Sequence, residues 1–184
     1  MEKIFMCAAA ESVRRYSRFF QLQNAVKVLD YGTGNMRNAL YLSKQGFRVY
    51  AADLPEQVER LQDYPAANQV ERLLATDELF HGSLGVDLVL STYVFNIIMG
   101  HKERYDYLKT AVSNLRQGGY LLMEVRCRRS DESCDSTCSD YLSPDTCAKT
   151  LSHEELNALL APHGMRSVSH YYRSHALSAI YRRA

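Results

Sequence analysis

The sequence has almost no net charge and no long apolar run. Its 184 residues include 22 Lys and Arg against 21 Asp and Glu, which gives a formal net charge of +1. So small a charge excludes broad electrostatic attraction to nucleic acid or to an anionic membrane surface. No apolar run approaches the length of about 20 residues that a membrane-spanning helix needs. We therefore predict no membrane partner, and we do not expect nucleic acid to be the substrate.

The N-terminus also lacks the apolar core of a signal peptide. Residues 1–20, MEKIFMCAAAESVRRYSRFF, carry charges throughout, which predicts a cytoplasmic location. Disulfides are not expected in that compartment. Four of the five cysteines lie within the polar segment 126–150, namely Cys127, Cys134, Cys138 and Cys147. They lack the Cys-x2-Cys pairs that are typical of structural zinc, so we predict no metal site.

The most informative segment is VLDYGTGNMRNALYLSKQGFRVYAAD, residues 28–53. Its order is apolar strand, glycine turn, helix and second strand. Gly32 and Gly34 permit a tight turn whose backbone can approach a ligand closely, and the helix that follows directs its first amides at that ligand. Asp53 lies 23 positions after Asp30, where a carboxylate can accept hydrogen bonds from ribose hydroxyls. The segment predicts a cofactor that contains a nucleoside.

Strands and helices alternate along the rest of the chain. This order predicts an α/β fold, a Rossmann-like, doubly wound and mostly parallel seven-stranded sheet. The last two strands should form a closing antiparallel hairpin. We expect one domain over residues 1–184, with a lid helix in 1–24 and a substrate-side loop at 126–150. The predicted strands are 26–31, 48–52, 72–75, 86–94, 120–125, 166–172 and 176–181, and the predicted helices are 5–20, 36–45, 55–63, 103–115 and one that Ser152 and Glu155 cap.

Five separated segments resemble the motifs of class I S-adenosylmethionine-dependent methyltransferases. They are Asp30-x-Gly32-x-Gly34, Asp53 at the ribose position, Thr76-Asp77 at the adenine position, VDLVLSTYVFN (residues 86–96) in the fourth strand, and LRQGGYLLMEV (residues 115–125), with its Gln117-Gly118-Gly119 turn before the fifth. The resemblance covers nearly the whole chain. It implies S-adenosylmethionine as the cofactor and methyl transfer as the reaction.

A narrower resemblance concerns residues 32–49. Gly-x-Gly-Asn-x-Arg-Asn-x-Leu-Tyr-Leu followed by Gly46-Phe47-x-Val49 is similar to the small tellurite-resistance-type methyltransferases. The chain departs from that pattern at Met36, where the third glycine usually lies. We expect the Met36 side chain to narrow the space near the methionine end of the cofactor. The missing glycine also argues against a dinucleotide, because a pyrophosphate needs room over the turn.

The candidate cofactor-binding residues are Tyr16, Asp30, Gly32, Gly34, Asn35, Arg37, Asn38, Asp53, Asp77, Ser91 and Thr92. Some have competing interpretations. Asp30 can be a structural acid that holds loop amides, and Asp53 can cap the next helix. Arg37 can form a surface ion pair, and Tyr16 can belong to a solvated basic face rather than to a lid over the cofactor.

Three residues are candidates for the chemistry: Tyr93, His101 and Glu124. Tyr93 would wall the methyl-transfer pocket, unless it is an ordinary core aromatic. His101 would be a general base near neutral pH, or a surface histidine at a helix N-terminus. Glu124 would bind substrate, or else form a surface ion pair of little energetic value.

Methyl transfer to a small molecule is the predicted function. A sulfonium is an activated donor, so the protein must mainly align the reactants and exclude water. An acceptor that arrives protonated needs a base, whereas a thiolate or chalcogenide does not. The fourth strand lacks the Asn/Asp-Pro-Pro-aromatic motif of enzymes that methylate amino groups of nucleic acids. The alternatives are a non-catalytic, cofactor-binding regulatory or interaction protein, and transfer of a different group from the sulfonium.

Overall fold

The computed structural model describes residues 8–81, 84–127, 150–173 and 176–184. Their seven strands form one sheet of order β3-β2-β1-β4-β5-β7-β6. The neighbouring pairs among β1 to β5 are parallel, and β7 runs antiparallel to both β5 and β6. The predicted fold class is confirmed. The strands are β1 (Lys27–Tyr31), β2 (Arg48–Asp53), β3 (Arg72–Ala75), β4 (Val86–Thr92), β5 (Leu115–Arg126), β6 (Met165–Arg173) and β7 (Ala176–Arg183).

Helices cover both faces of the sheet. They are α1 (Glu11–Leu22), α2 (Arg37–Lys44), α3 (Pro55–Gln62), α4 (His101–Ser113) and α5 (His153–Leu160), with 3-10 turns at Pro65–Gln69, Thr76–His81, Phe95–Ile97 and Ala161–His163. Successive side chains of a strand point to opposite faces, so Val28 enters the apolar cluster of α1 and α2 while Leu29 enters that of α4 and α5. Within the described residues, no helix is long and apolar enough to cross a membrane.

Local sequence signals explain several helix ends. Ser152 Oγ accepts from the Glu155 amide at 3.2 Å, and the Glu155 carboxylate accepts from the Ser152 amide at 2.7 Å. The predicted capping box is therefore present at the start of α5. Pro55 is the first residue of α3, where its missing amide hydrogen costs nothing. Gly46 follows α2 with φ +90°, a conformation that ends helices.

Two predicted boundaries are wrong. Gln117-Gly118-Gly119 is not a separate turn but lies within β5, which begins at Leu115. It forms an irregularity there, because Val86 pairs with Leu115 while Leu88 pairs with Tyr120. The first helix starts at Glu11, since the Ala10 amide bonds instead to Asn38 Oδ1 at 2.8 Å. Residues 1–7, and residues 128–149 of the predicted substrate-side loop, lie outside the described residues.

Candidate functional site

The glycine turn connects the end of β1 to α2. The amides of Gly32 and Thr33 both donate to Ala52 O, at 2.8 and 3.0 Å, so the turn folds back onto the end of β2. Gly32 has φ +84°, and a Cβ added there would lie 2.2 Å from Val94 Cγ2. Gly34 has φ +53°, and a Cβ added there would meet no atom of the described residues within 4 Å. Gly32 is required by packing, whereas Gly34 borders open space that a ligand can approach.

Asp53 holds this turn in place. Its Oδ2 accepts from the Gly34 amide at 2.7 Å, and its Oδ1 accepts from the Leu54 amide at 2.8 Å. The interpretation as a helix cap is wrong, because the N-cap of α3 is Leu54 and no side chain caps that helix. Each carboxylate oxygen has two lone pairs, so Asp53 retains capacity for further donors. Its predicted role toward ribose hydroxyls is compatible with this position.

Sequence reasoning missed Gln57, which also binds the turn. Gln57 Nε2 donates to Gly34 O at 3.0 Å. Gln57 lies four positions after Asp53 on the first turn of α3. The available signal was a polar residue in the first turn of the helix that follows the ribose-position acid, because that turn lies close to the end of β2.

Asp30 is buried at the end of β1, with 1% of its surface exposed. Its Oδ2 accepts from Thr33 Oγ1 at 2.8 Å, which supports the structural interpretation. Its Oδ1 finds no hydrogen-bond partner within the described residues. Burial raises the pKa of Asp30 to about 6, although the Thr33 hydroxyl and the Ala39 amide oppose the shift. An unpaired buried acceptor is costly, so a ligand donor or cation would be stabilised beside Oδ1.

Residues 35–37 complete the turn. Asn35 is exposed, and Arg37 begins α2 half-buried. The Arg37 guanidinium acts to lower the pKa values of both Asp30 and Tyr93, so it faces the site rather than a distant surface acid. Met36 adopts φ +61°, a backbone conformation that favours glycine, which explains why the family pattern usually has a glycine at this position. Its side chain is 1% exposed and packs in the apolar cluster of α1 and α2, so the expectation that it narrows the cofactor space is corrected.

The side chains of Asn38 and Thr92 bind each other. Asn38 Nδ2 donates to Thr92 Oγ1 at 2.9 Å, while Asn38 Oδ1 accepts from the Ala10 amide at 2.8 Å. Ser91 Oγ lies 2.8 Å from the Tyr107 hydroxyl. The polar side-chain groups of these residues thus have partners that join α1, α2, α4 and β4. The prediction for Ser91 and Thr92 concerns their backbone carbonyls, so it stays a prediction, as does that for Asn38. Backbone groups at the end of β4 are still available for a cofactor.

Tyr93, Glu124 and Ser12 form a polar cluster at the ends of β4 and β5, in which Ser12 and Glu124 are buried and Tyr93 is half-buried. The Tyr93 amide donates to Glu124 O at 2.7 Å. Ser12 Oγ of α1 donates to Glu124 Oε2. Burial, and then the nearby Glu124 carboxylate, raise the pKa of Tyr93 above its ordinary value. Glu124 is only 5% exposed, so its interpretation as a surface ion pair is wrong.

Three predicted site residues lie apart from this cluster. Tyr16 packs against β6, with its ring centroid 5.8 Å from that of Tyr171, and β6 is separated from β1 by three strands. The prediction of Tyr16 as a cofactor lid is therefore corrected. Asp77 is exposed in the turn after β3. His101 is exposed at the start of α4, and no hydrogen bond within the described residues joins it to Tyr93 or Glu124.

The described residues contain no group of three or more His, Cys, Asp or Glu side chains that could hold a metal ion. Cys127 is buried as a free thiol, and burial raises its pKa. Cys134, Cys138 and Cys147 lie outside the described ranges. The prediction about the cysteine cluster therefore remains a prediction.

Comparison with known proteins gives one family and many similar structures. The family model described as methyltransferase domain matches residues 5–184. The 1,6-didemethyltoxoflavin-N1-methyltransferase of Burkholderia thailandensis, solved with 1,6-didemethyltoxoflavin and S-adenosylhomocysteine, is 21% identical with a TM-score of 0.70, covering 95% of this chain and 79% of that one. The magnesium protoporphyrin IX methyltransferase of Synechocystis PCC 6803, with S-adenosylhomocysteine bound, is 16% identical with a TM-score of 0.70, covering 95% and 83%.

A third similar structure is a SAM-dependent methyltransferase from Aquifex aeolicus, 18% identical with a TM-score of 0.68, covering 94% of this chain and 89% of that one. A search of curated proteins finds no match. At these identities the structural neighbours establish the fold, and the family model establishes the family.

Proposed function

Because the chain belongs to the methyltransferase-domain family, we propose that it is an S-adenosylmethionine-dependent methyltransferase that acts on a small-molecule acceptor. The observation that carries this proposal is the pair of carboxylates at the glycine turn. Asp30 presents a buried oxygen that has no donor within the described residues, and Asp53 lies beside the open edge of Gly34. These acceptors flank a ligand space at the carboxyl edge of a parallel sheet, where open α/β folds bind ligands.

The residues present fit the chemistry of this cofactor. Asp30 would accept from the ammonium group and Asp53 from the ribose hydroxyls. Arg37, together with the first amides of α2, would bind the carboxylate, because a guanidinium and a helix N-terminus both stabilise an anion. When bound, the sulfonium supplies an activated methyl group. Gly34, Asn35, Asp77 and the backbone at Ser91 and Thr92 complete the proposed contact set.

The rest of the site would mainly position the acceptor and exclude water. Tyr93 and Val94 lie between the glycine turn and β5 and would wall the transfer site. His101 is exposed and separate from them, which weakens its case as a general base. The resemblance to tellurite-resistance-type enzymes leads us to propose a thiol or chalcogenide acceptor first, since its anion needs no base. The relatives named above act on a toxoflavin precursor and a porphyrin, which supports an acceptor of small-molecule size.

Titration calorimetry tests the cofactor. We expect S-adenosylmethionine and S-adenosylhomocysteine to bind, and no binding at millimolar ligand would refute the proposal. Asp53→Ala should weaken binding by about 100-fold, because it removes charge-assisted hydrogen bonds of about 1.5–3 kcal/mol each. Asp63→Ala is the matched control, since Asp63 is an exposed acid that directly follows α3 and has no part in the glycine turn.

Catalysis is tested by S-adenosylhomocysteine release with a panel of thiols, selenols, phenols and amines. Release with one acceptor class, together with product mass spectrometry that shows a gain of one methyl group, supports the enzyme. Binding without release from any acceptor would favour the non-catalytic alternative. A different mass gain would favour transfer of another group. The departure from the family pattern at Met36 does not favour the non-catalytic alternative, because that side chain is packed in the core.

We further propose a cytoplasmic location and a single domain over residues 1–184, with a small-molecule partner and without a membrane or nucleic-acid partner. The small net charge supports the last point. Cell fractionation with a tagged chain tests the location.

A further inference from the structure

Within the described residues, three buried side-chain polar atoms have no hydrogen-bond partner: Asp30 Oδ1, Asn96 Oδ1 and Arg104 Nη2. Asp30 lies near the carboxyl end of β1, and the other two residues follow the carboxyl end of β4. The strands β1 and β4 are parallel neighbours in the sheet. Leaving a buried polar atom unpaired is costly, so a cluster of such atoms at the ligand-binding edge indicates groups that a ligand would satisfy. The proposed function uses only Asp30.

The position of Arg104 follows from the helix that carries it. α4 connects the parallel strands β4 and β5, so it runs back from the carboxyl edge of the sheet. Tyr107 stacks on Tyr31 at the end of β1, with ring centroids 4.3 Å apart, and its hydroxyl donates to Ser91 Oγ of β4 at 2.8 Å. Arg104 precedes Tyr107 by three residues, an advance of about 4.5 Å along a helix. Arg104 therefore lies beyond these strand ends, on the side where a ligand binds.

The surroundings of Arg104 contain no anion within the described residues. The residue is 4% exposed, and none of the ion pairs in that part of the chain includes it. Its Nε donates to Ile98 O at 2.7 Å, and its guanidinium carbon lies 5.6 Å from the centre of the Phe95 ring. These contacts fix the direction of the side chain and leave Nη2 without an acceptor. A buried cation without a paired anion is costly, so the site favours a negatively charged ligand.

The segment between β4 and α4 also contacts the glycine turn. A Cβ added at Gly32 would lie 2.2 Å from Val94 Cγ2, so Val94 packs on the turn. Asn96 follows two residues later and is 1% exposed. Arg37, which we assign to the cofactor carboxylate, begins α2 on the opposite face of the sheet from α4. Two arginines thus flank the same edge from opposite faces, and Arg104 is the one available to the acceptor.

We propose that Arg104 and Asn96 form an acceptor-binding site for a small carboxylate. Arg104 donates through Nη2 to the carboxylate, and Asn96 Oδ1 accepts from a hydroxyl, amine or amide group of the same molecule. One guanidinium supplies a single positive charge, which matches a carboxylate better than a doubly charged phosphate. The inference rests on the proposed function, and it narrows the acceptor to anionic small molecules.

Matched pairs of acceptors test the charge requirement in the assay of S-adenosylhomocysteine release. The pairs are mercaptoacetate and mercaptoacetamide, salicylate and salicylamide, and glycine and glycinamide, which differ only in carboxylate against carboxamide. For the nucleophile that is methylated, we expect the KM of the carboxylate to be about 30-fold lower than that of the amide. Equal KM values in the wild type would overturn the proposal.

Variants of Arg104 separate acceptor binding from a merely structural role. Arg104→Met should remove the preference by raising the KM of the carboxylate while kcat stays the same, because the ion pair forms equally in the ground state and the transition state. Arg104→Lys should keep part of the preference, since it keeps the charge without the fork of donors. A preference that persists in Arg104→Met would overturn the proposal, and so would a fall in kcat with equal KM values for acid and amide.

A spectroscopic test requires no turnover. The Arg104 Nε–H group donates to Ile98 O, so its NMR signal reports on the guanidinium. In protein saturated with S-adenosylhomocysteine, lactate or one of the three carboxylates above should shift this signal saturably, and the corresponding amide should not. If no carboxylate shifts the signal, or if acids and amides shift it alike, the proposal is wrong.

Lactate and propionate differ by one hydroxyl group and test the role of Asn96. In the wild type, the same titration should show that lactate binds about 5-fold more tightly, through one additional hydrogen bond. In Asn96→Leu, which keeps a side chain of similar size without the oxygen, the two acids should bind equally. Equal binding of both acids by the wild type would refute the role of Asn96.

The controls distinguish failure of this inference from failure of the proposed function. Arg166→Met removes an exposed arginine near the start of β6 and should change neither KM nor the NMR shift. Arg104→Met should bind S-adenosylhomocysteine as the wild type does, and weaker binding would assign Arg104 to the cofactor and overturn the inference. If the wild type binds no S-adenosylhomocysteine, the proposed function is refuted, and the lactate titration of the unliganded protein then judges the carboxylate site. If Arg104→Met does not fold, the wild-type titration and the matched pairs still decide.

Discussion

The glycine turn and the polar cluster of Ser12, Tyr93 and Glu124 are neighbouring parts of one edge of the sheet, but they are assembled differently. In the turn, hydrogen bonds join Asp30 to Thr33, three residues away, and Gly34 to Asp53, 19 residues away. In the polar cluster, Ser12 and Glu124 are 112 residues apart. A short segment can therefore specify most of the turn, whereas the polar cluster exists only once β4 and β5 are paired and α1 has packed over them.

The two regions also differ in how fully their polar groups are paired. Asp30 keeps one buried oxygen without a partner within the described residues, and Gly34 faces open space. Glu124 is buried too, but the Ser12 hydroxyl binds its carboxylate. An unpaired buried acceptor favours a ligand, and a paired one favours rigidity. The difference supports our proposal that the cofactor binds at the turn, while the polar cluster holds the backbone around it.

Gly32→Ala, a change in the glycine turn, should lower the free energy of unfolding more than any other variant in this section. The new Cβ would collide with Val94 and would force an alanine into φ +84°. We expect the free energy of unfolding to fall by about 4 kcal/mol, from backbone strain and overpacking together, as measured by denaturant titration. Gly46→Ala is the control, because it has φ +90° but open space around a Cβ. Equal losses of unfolding free energy in the two variants would show that the contact with Val94 does not destabilise the Gly32→Ala protein.

The pH dependence of stability should reveal the buried carboxyl of the turn. Its pKa is raised from 3.8 to about 6 in the folded protein, so the native state binds more protons than the unfolded state between those values. The contribution of Asp30 to stability is therefore fully present below pH 3.8 and is lost as pH rises through about 6. Relative to the wild type, Asp30→Asn should gain about 2 to 3 kcal/mol between pH 4 and pH 7.

Asp87→Asn is the control, because its effect on stability should depend on pH in the opposite direction. Burial acts to raise the pKa of Asp87, but bonds from Arg116 and from the amides of Lys27 and Val26 outweigh it, so the pKa is lowered. Its stabilising contribution is present above the ordinary value of 3.8 and is lost as pH falls through the lower folded value. If the stabilities of the Asp30 and Asp87 variants changed with pH in the same direction, the raised pKa of Asp30 would be contradicted.

Met36→Gly should show whether the Met36 side chain contributes to core packing or restricts the space for the cofactor. Loss of the buried side chain is destabilising, and relief of φ +61° offsets part of it. We expect a net loss of about 2 kcal/mol of unfolding free energy. Calorimetry should find the affinity for S-adenosylhomocysteine nearly unchanged. Markedly tighter binding by the glycine variant would restore the view that Met36 restricts the cofactor.

Gly34→Ala should have the smallest effect on folding. The site is open, so only the positive φ is unfavourable, and we expect a loss of about 1 kcal/mol, similar to that of Gly46→Ala. Binding of S-adenosylhomocysteine should nevertheless weaken in Gly34→Ala and not in Gly46→Ala, because the methyl group occupies the space that faces the ligand. Equal affinities in the two variants would argue against a ligand at this edge.

Sequence reasoning was most accurate where the signals were local. The strand before the glycine turn, the capping box of α5 and the closing hairpin were predicted with nearly the observed bounds. It was least accurate where a distant partner decides the conformation. Ala10 precedes the first helix because its amide donates to Asn38. The Tyr16 ring packs against Tyr171 of β6, while the apolar side of α1 packs on the sheet.

By itself, the sequence determined the fold class and the cofactor turn, because alternating periodicity and two glycines constrain the backbone over short distances. It also placed Asp30 and Asp53 at the ends of adjacent strands. Only the tertiary structure decided which polar groups have partners. Glu124 is buried against Ser12, Asn38 is bound to Thr92, and one oxygen of Asp30 has no partner within the described residues. Hydrogen bonds depend on distances of about 3 Å, and for residues far apart in the chain only the packed sheet sets such distances.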